Sequence, residues 1–214
     1  MESILKRQIA ADLLKIKAVS LSPNKPFTWT SGITSPIYCD NRLTLSYPDI
    51  RSRIADELAS VIKTHYPHAT VVAGTATAGI PHAALVSERL NLPMVYVRSK
   101  AKSHGKGNQI EGKIENEDRV VIIEDLISTG GSVINAAHAL REAGADVLGV
   151  AAIFSYGLEK GKHMLQEAEL NVRTLTNFDI LLEVAVDHGN IGHKELEMIR
   201  KWREQPESDN WQNE

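Results

Sequence analysis

Apolar positions along this chain follow two periods, one helical and one extended. Leu5, Ile9, Leu13 and Ile16 fall on one helical face and predict a first helix over residues 3–19. Pro23, Pro26 and Pro36 then break the chain, and residues 27–30 and 37–39 read as short strands around a turn at Ser31 and Gly32, a small antiparallel appendage before the main domain. Ser46, Pro48 and Asp49 mark a helix start whose buried stripe is Ile50, Ile54, Leu58 and Val61. Strands are then predicted at 70–73, 94–97, 119–123 and 147–154, with helices at 80–90 and 132–143. The tail reads as helix 158–168, strand 172–175, helix 178–186 and an exposed helix 193–203, with fraying after Gln205. Such alternation predicts an α/β fold, a parallel sheet with helices on both faces. No repeat, low-complexity tract or linker divides residues 1–214, so a single domain is expected.

Composition narrows the function classes. A chain of 214 residues with 43% hydrophobic content can bury one substantial core. Its net charge of −3 offers no global attraction to nucleic acid or to an anionic membrane. Cys39 is the single cysteine, which excludes an intrachain disulfide and suits a reducing, cytoplasmic setting. The first residues are interrupted by charge and lack the apolar core of a signal peptide. Residues 64–87 carry no Asp, Glu, Lys or Arg, but their glycines, prolines and histidines make a poor membrane span.

Three segments carry candidate chemistry. Val120, Val121, Ile122 and Ile123 form a β-branched run, as in a strand covered on both faces, and it ends in Glu124 and Asp125. Leu126 and Ile127 follow, then the hydroxyl- and glycine-rich turn Ser128, Thr129, Gly130, Gly131 and Ser132 before a helix. A strand-to-helix turn aims backbone N–H groups at an anion, so this turn is a candidate phosphate cradle. Two carboxylates beside it make sense for a ligand that also presents hydroxyls or a bridging divalent cation. Thr75, Ala76, Thr77, Ala78 and Gly79 form a second strand-to-helix loop. Gly74 and Gly79 have P-loop spacing, but Ile80 and Pro81 stand where its lysine and hydroxyl belong, which argues against nucleoside triphosphate hydrolysis of that type. Residues 98–113 have no apolar period, three glycines, and Arg98, Lys100, Lys102, His104, Lys106 and Lys113; they read as a basic, mobile lid suited to a polyanionic substrate. His65, His68, His188 and His193 lack companions at metal spacing and read as surface or cap residues, and Trp202 and Trp211 as structural.

The run Glu124 to Ser132 resembles the phosphoribosyl-diphosphate (PRPP) binding motif of the type I phosphoribosyltransferases, and Arg98, Ala101, Lys102, His104 and Gly105 resemble the catalytic loop of the orotate phosphoribosyltransferases. Phe27, Thr28, Ser31, Gly32, Ser35 and Pro36 are similar to that family's hood stretch. The resemblance implies a type I phosphoribosyltransferase fold with a small N-terminal hood over about residues 1–45 and a lid at 98–113. It implies transfer of ribose 5-phosphate from PRPP to orotate in pyrimidine synthesis, in a homodimer whose lid serves the neighbouring subunit, with Mg2+ held mainly by PRPP and no direct protein ligand. By the same resemblance Glu124 and Asp125 hold the ribose hydroxyls, the loop through Ser132 wraps the 5-phosphate, residues 75–79 line the diphosphate, Arg98, Lys102 and His104 close on it, and Ser128 meets orotate. The chain departs from many members at Thr30, Tyr38, Cys39, Thr77, Ala78, Ser99 and Tyr156, so the roles of those members' side chains are not carried to those positions; Lys100 stands one place beyond Ser99. With Thr30 and Tyr156 uncharged, neutral donors, backbone amides or water are expected at the orotate carboxylate. The lid favours orotate over a purine base. A regulatory RNA-binding use of the fold needs a basic or aromatic face beyond the lid, whereas the remaining cations are interspersed with acids.

Overall fold

A computed structural model describes residues 2–29, 32–100, 109–208 and 211. Its centre is a six-stranded sheet in the order β10-β9-β8-β5-β6-β7. The strands are β5 (Val71–Thr75), β6 (Met94–Val97), β7 (Ile110–Glu111), β8 (Arg119–Ile127), β9 (Asp146–Ser155) and β10 (Val172–Asn177). Five run parallel, as the alternating pattern predicted. The edge strand β7 is antiparallel to β6 and comes from the stretch read as lid, where two residues are too few to show a period.

The sheet is buried on both faces because its central strands are apolar at consecutive positions. Val121, Ile123, Ala151 and Ile153 pack in one core with α1 (Glu2–Lys15), α2 (Pro48–His65), α3 (Gly79–Leu90), α6 (Phe178–Asp187) and α7 (His193–Glu204). Val120, Ile122, Val150 and Ala152 point the other way, toward α4 (Gly131–Glu142) and α5 (Glu159–Glu167). Side chains one residue apart thus serve opposite layers, as the two-residue repeat of a strand requires. No helix among the described residues is long and apolar enough to cross a membrane.

The N-terminal appendage differs from its sequence reading. The first helix ends at Lys15, not at residue 19, because Lys17 turns the chain at φ 58° and Val19 enters a strand. That strand, β1 (Val19–Leu21), pairs with β4 (Ile37–Cys39). Phe27 and Thr28, as β2, pair instead with β3 (Thr34–Ser35), so there are two small ladders rather than one hairpin. A 3-10 helix at Asn41–Ser46, also unforeseen, links the appendage to α2; the Asp40 carboxylate accepts from the Arg42 backbone N–H at its start.

The last helix is less exposed than predicted. Ile199 and Trp202 are fully buried, and Trp211, in the stretch expected to fray, is buried as well. The Trp202 indole donates to the Thr34 carbonyl at 3.1 Å and meets Trp29 edge-on at 5.6 Å between centroids. The structural reading of Trp202 therefore holds, with α7 fastened to the appendage. Trp202→Ala removes that side chain from a closed core and is expected to cost ~3–5 kcal/mol, read as a fall in urea midpoint, while Trp202→Phe keeps much of the packing and loses less.

Candidate active site

The two adjacent acids lie inside β8, not beyond it. The ladder to β9 continues through Leu126 against Phe154 and Ile127 against Ser155, so the strand outruns its apolar stretch. Glu124 is buried, its carboxylate accepting from the Asp125 backbone N–H at 3.0 Å. Burial, and then the charge of Asp125, pushes the Glu124 carboxyl up to about 8. Burial also raises Asp125, against hydrogen bonds from Glu124 and the local backbone. Near neutral pH the free pair therefore retains a proton that rests mainly on Glu124. Asn41, at the start of the 3-10 helix, donates to the Asp125 carbonyl at 2.7 Å.

After β8 the chain turns at Ser128 and Thr129, and Gly130 takes φ 82° as the N-cap of α4 with no side chain capping the helix. Free N–H groups at such an end form an anion site. A cavity of about 140 Å³ lined by Glu124 and residues 126–133 sits there. The loop is backed by Gly161 of α5, where a Cβ would lie 2.5 Å from the Ser128 carbonyl oxygen.

The second loop locks onto the same strand. Thr75 ends β5 and its hydroxyl donates to the Ile123 carbonyl at 3.1 Å. Gly79 opens α3 so close to β8 that a Cβ would stand 2.4 Å from the Ile123 oxygen and 2.5 Å from Thr75 Oγ1. Between them Ala76 donates its N–H to the Val97 carbonyl, and Thr77 accepts from the Ile80 N–H. A cavity of about 250 Å³ joins Thr75, Ala76, Arg98, Ser99, Gly131 and Ser132. The structure thus brings both loops and Arg98 together around adjoining spaces that share Gly131 and Ser132. Arg98 is held at the base of the predicted lid, donating its N–H to the Gln109 carbonyl, with its guanidinium 3.7 Å from Glu111. Lys102 and His104 lie outside the described residues, as does Thr30.

A larger cavity, about 1110 Å³, opens between the appendage and β8. Thr28, Trp29, Tyr38 and Cys39 line one side, Ser128, Thr129 and Tyr156 another. Trp29 and Tyr156 meet at a tilt with centroids 5.2 Å apart, and Tyr156 meets Phe154 edge-on at 5.4 Å. Burial raises the Tyr156 hydroxyl well above its ordinary value, so it stays neutral. Burial, then Asp125, does the same to the Cys39 thiol, which donates to Asn41 Oδ1 at 3.2 Å. Trp29, Asn41 and Gly161 escaped the sequence reading: the Asn41 contact spans 84 residues and no local pattern marks it. His65, His68, His188 and His193 are exposed, as anticipated. His82 is the exception, fully buried and held neutral by desolvation, which lowers it to about 4. Among the described residues no group of three His, Cys, Asp or Glu side chains is arranged to hold a metal ion.

The sequence and the fold both resemble those of known proteins. The profile of the phosphoribosyl transferase domain matches residues 46–181. A Halalkalibacterium halodurans protein named orotate phosphoribosyltransferase is 65% identical over 210 residues, covering 98% of this chain and 100% of the relative. Its Bacillus subtilis namesake is 57% identical over 208 residues, covering 97% and 96%. The crystal structure of orotate phosphoribosyltransferase from Aeropyrum pernix superposes with a TM-score of 0.75 at 30% identity, covering 86% of this chain and 99% of that one. With the domain profile, full-length relatives and a superposable fold in agreement, the chain belongs to the orotate phosphoribosyltransferases, on a type I phosphoribosyltransferase fold.

Proposed function

We propose that this chain transfers the 5-phosphoribosyl group of PRPP to orotate, giving orotidine 5′-monophosphate and diphosphate. The observation that carries the reading is the convergence of the carboxylate pair, the amide-lined turn of residues 128–132 and the loop of residues 75–79 beside an aromatic cavity wide enough for a base. In the reaction the ribose C1–O bond breaks, its electron pair leaves with the diphosphate, and a ring nitrogen of orotate bonds to C1 as it gives up its proton. Positive charge grows at C1 and negative charge on the leaving group, so preorganised donors are the main requirement.

Each part of the site has a role in that scheme. Glu124 and Asp125 accept from the ribose hydroxyls, and the amides from Ser128 to Ser132 hold the 5-phosphate. The loop of residues 75–79, free of bulky side chains, receives the diphosphate, while Arg98, Lys102 and His104 neutralise it. Ser128 faces the orotate cavity. Two carboxylates with no third metal-binding side chain beside them among the described residues suit a magnesium ion held chiefly by PRPP oxygens, with Glu124 and Asp125 as the nearby acids; when bound, the ion would offset charge on the diphosphate. The lid is proposed to serve the neighbouring subunit of a homodimer. Loss of orotate absorbance that requires both PRPP and Mg2+ tests the activity; turnover of hypoxanthine, guanine or uracil at rates rivalling orotate refutes the substrate assignment.

Lys102→Ala should lower kcat by orders of magnitude with little change in the KM for PRPP, because its bonds strengthen as the leaving group gains charge. A kcat within about threefold of wild type, under roughly 1 kcal/mol, removes Lys102 from its role. Mixing Lys102→Ala with Asp125→Asn chains should regenerate one working site per heterodimer; verified heterodimers without recovered activity exclude a shared lid.

Glu124 generates a pH signature. The folded chain keeps its proton up to about 8, whereas the unfolded carboxyl releases it near its ordinary value of 4.5. Over that window the folded state binds the extra proton, so this group's contribution to stability falls as pH rises and levels off above 8. Glu124→Gln should therefore raise Tm relative to wild type at pH 8 by at least about 2 °C, and by less at pH 5. Ribose hydroxyls need the ionised form, so PRPP affinity should rise toward pH 8 in wild type and lose that slope in Glu124→Gln. Calorimetry across buffers of different ionisation enthalpy reads the released proton directly.

A further inference from the structure

A base that carries a carboxylate brings a negative charge into a cavity whose hood side presents Trp29 and Tyr38, whose other side presents Tyr156, and whose floor lies near the acids of β8. A counter-charge is needed, and the far rim supplies candidates. Among the described residues lining this cavity the cations are Lys160, on the first turn of α5, and Arg203, on the last turn of α7. Arg203 is already committed: one guanidinium nitrogen donates to both Asp179 oxygens at 2.7 Å, and the group lies 4.8 Å over the Phe178 ring. Lys160 is placed differently. Its ammonium is 3.7 Å from Glu207, with both side chains mostly in water (68% and 76% exposed), a pairing too weak to hold it.

The backbone that carries Lys160 is nonetheless firmly seated. The next residue, Gly161, is fully packed against the phosphate turn, 2.5 Å from the Ser128 carbonyl and 3.3 Å from Thr129 Cα by its absent Cβ. A flexible four-carbon stem on a fixed turn, beside the serine that faces the base, can swing its charge across the cavity mouth. Glu207 shows what Lys160 binds when it does not hold substrate: a carboxylate.

We propose that Lys160 is the specificity-determining cation of the base site. On substrate binding it exchanges the Glu207 carboxylate for that of orotate, adding a charge to the neutral donors expected there. Because the Glu207 contact is weak and exposed, giving it up for the substrate carboxylate costs little and leaves the lysine charged. The assignment rests on the proposed transfer to orotate.

Steady-state kinetics of the full chain, with orotate and PRPP varied separately, test it. Lys160→Gln should raise the KM for orotate tenfold or more while the KM for PRPP stays within twofold, and Lys160→Arg should remain within threefold of wild type for both. Glu207→Gln removes the competing carboxylate and should leave the KM for orotate equal or lower. An unchanged KM for orotate in Lys160→Gln, a parallel rise in both KM values, or an equal loss in Lys160→Arg overturns the role. Wild-type chain that consumes no orotate overturns the function itself, a result separable from these because the wild type is measured first. Both side chains are exposed, and circular dichroism of each variant checks that the fold is intact.

Discussion

The site depends on one close approach. At Gly79 the first turn of α3 lies against the Ile123 carbonyl of β8 with no space for a Cβ, and the Thr75 hydroxyl bonds to the same oxygen. That contact sets the spacing between the loop after β5 and the strand that carries both acids. It leaves a backbone-lined hollow where larger side chains would fill the volume a polyanion needs. Gly161 repeats the device on the other side, letting α5 sit directly behind the phosphate turn. Two glycines thus place two loops and the start of α5 around the end of β8.

Close packing has an electrostatic cost at the same place. Glu124 is surrounded by protein at the end of an apolar strand, and its raised affinity for a proton reports that its charge is poorly solvated without a ligand. On the proposed assignment, ribose hydroxyls and a substrate-borne cation would relieve this. A buried carboxyl of this kind lowers the stability of the free protein as pH rises, and under the proposed function PRPP binding would recover part of that loss.

The sequence made the sheet legible because fully buried strands are apolar without interruption, and both site loops lie at strand-to-helix junctions that punctuate that pattern. Met94–Val97 matched its predicted limits, and the helix over residues 178–186 was short by one residue. The hood was harder to read. Its ladders are two or three residues long, and the break after Lys15 is made by a lysine at positive φ with no glycine to announce it. β8 was cut short at Ile123 because the acids that follow look like loop residues, although they continue the ladder to β9. Asn41 and Trp202 act across 84 and 168 residues, distances over which local periodicity carries no information.

The junction of Trp202 with Thr34 and Trp29 also orders events in time. On the ribosome the strands of the hood emerge long before α7, whereas β5 to β9 and their helices make mostly neighbouring contacts and can assemble as they appear. The two strand-to-helix loops can therefore form while the cavity beside the appendage still lacks the wall that α7 supplies. If that cavity takes orotate as proposed, the chain acquires selection of the base only after its anion-binding loops have formed.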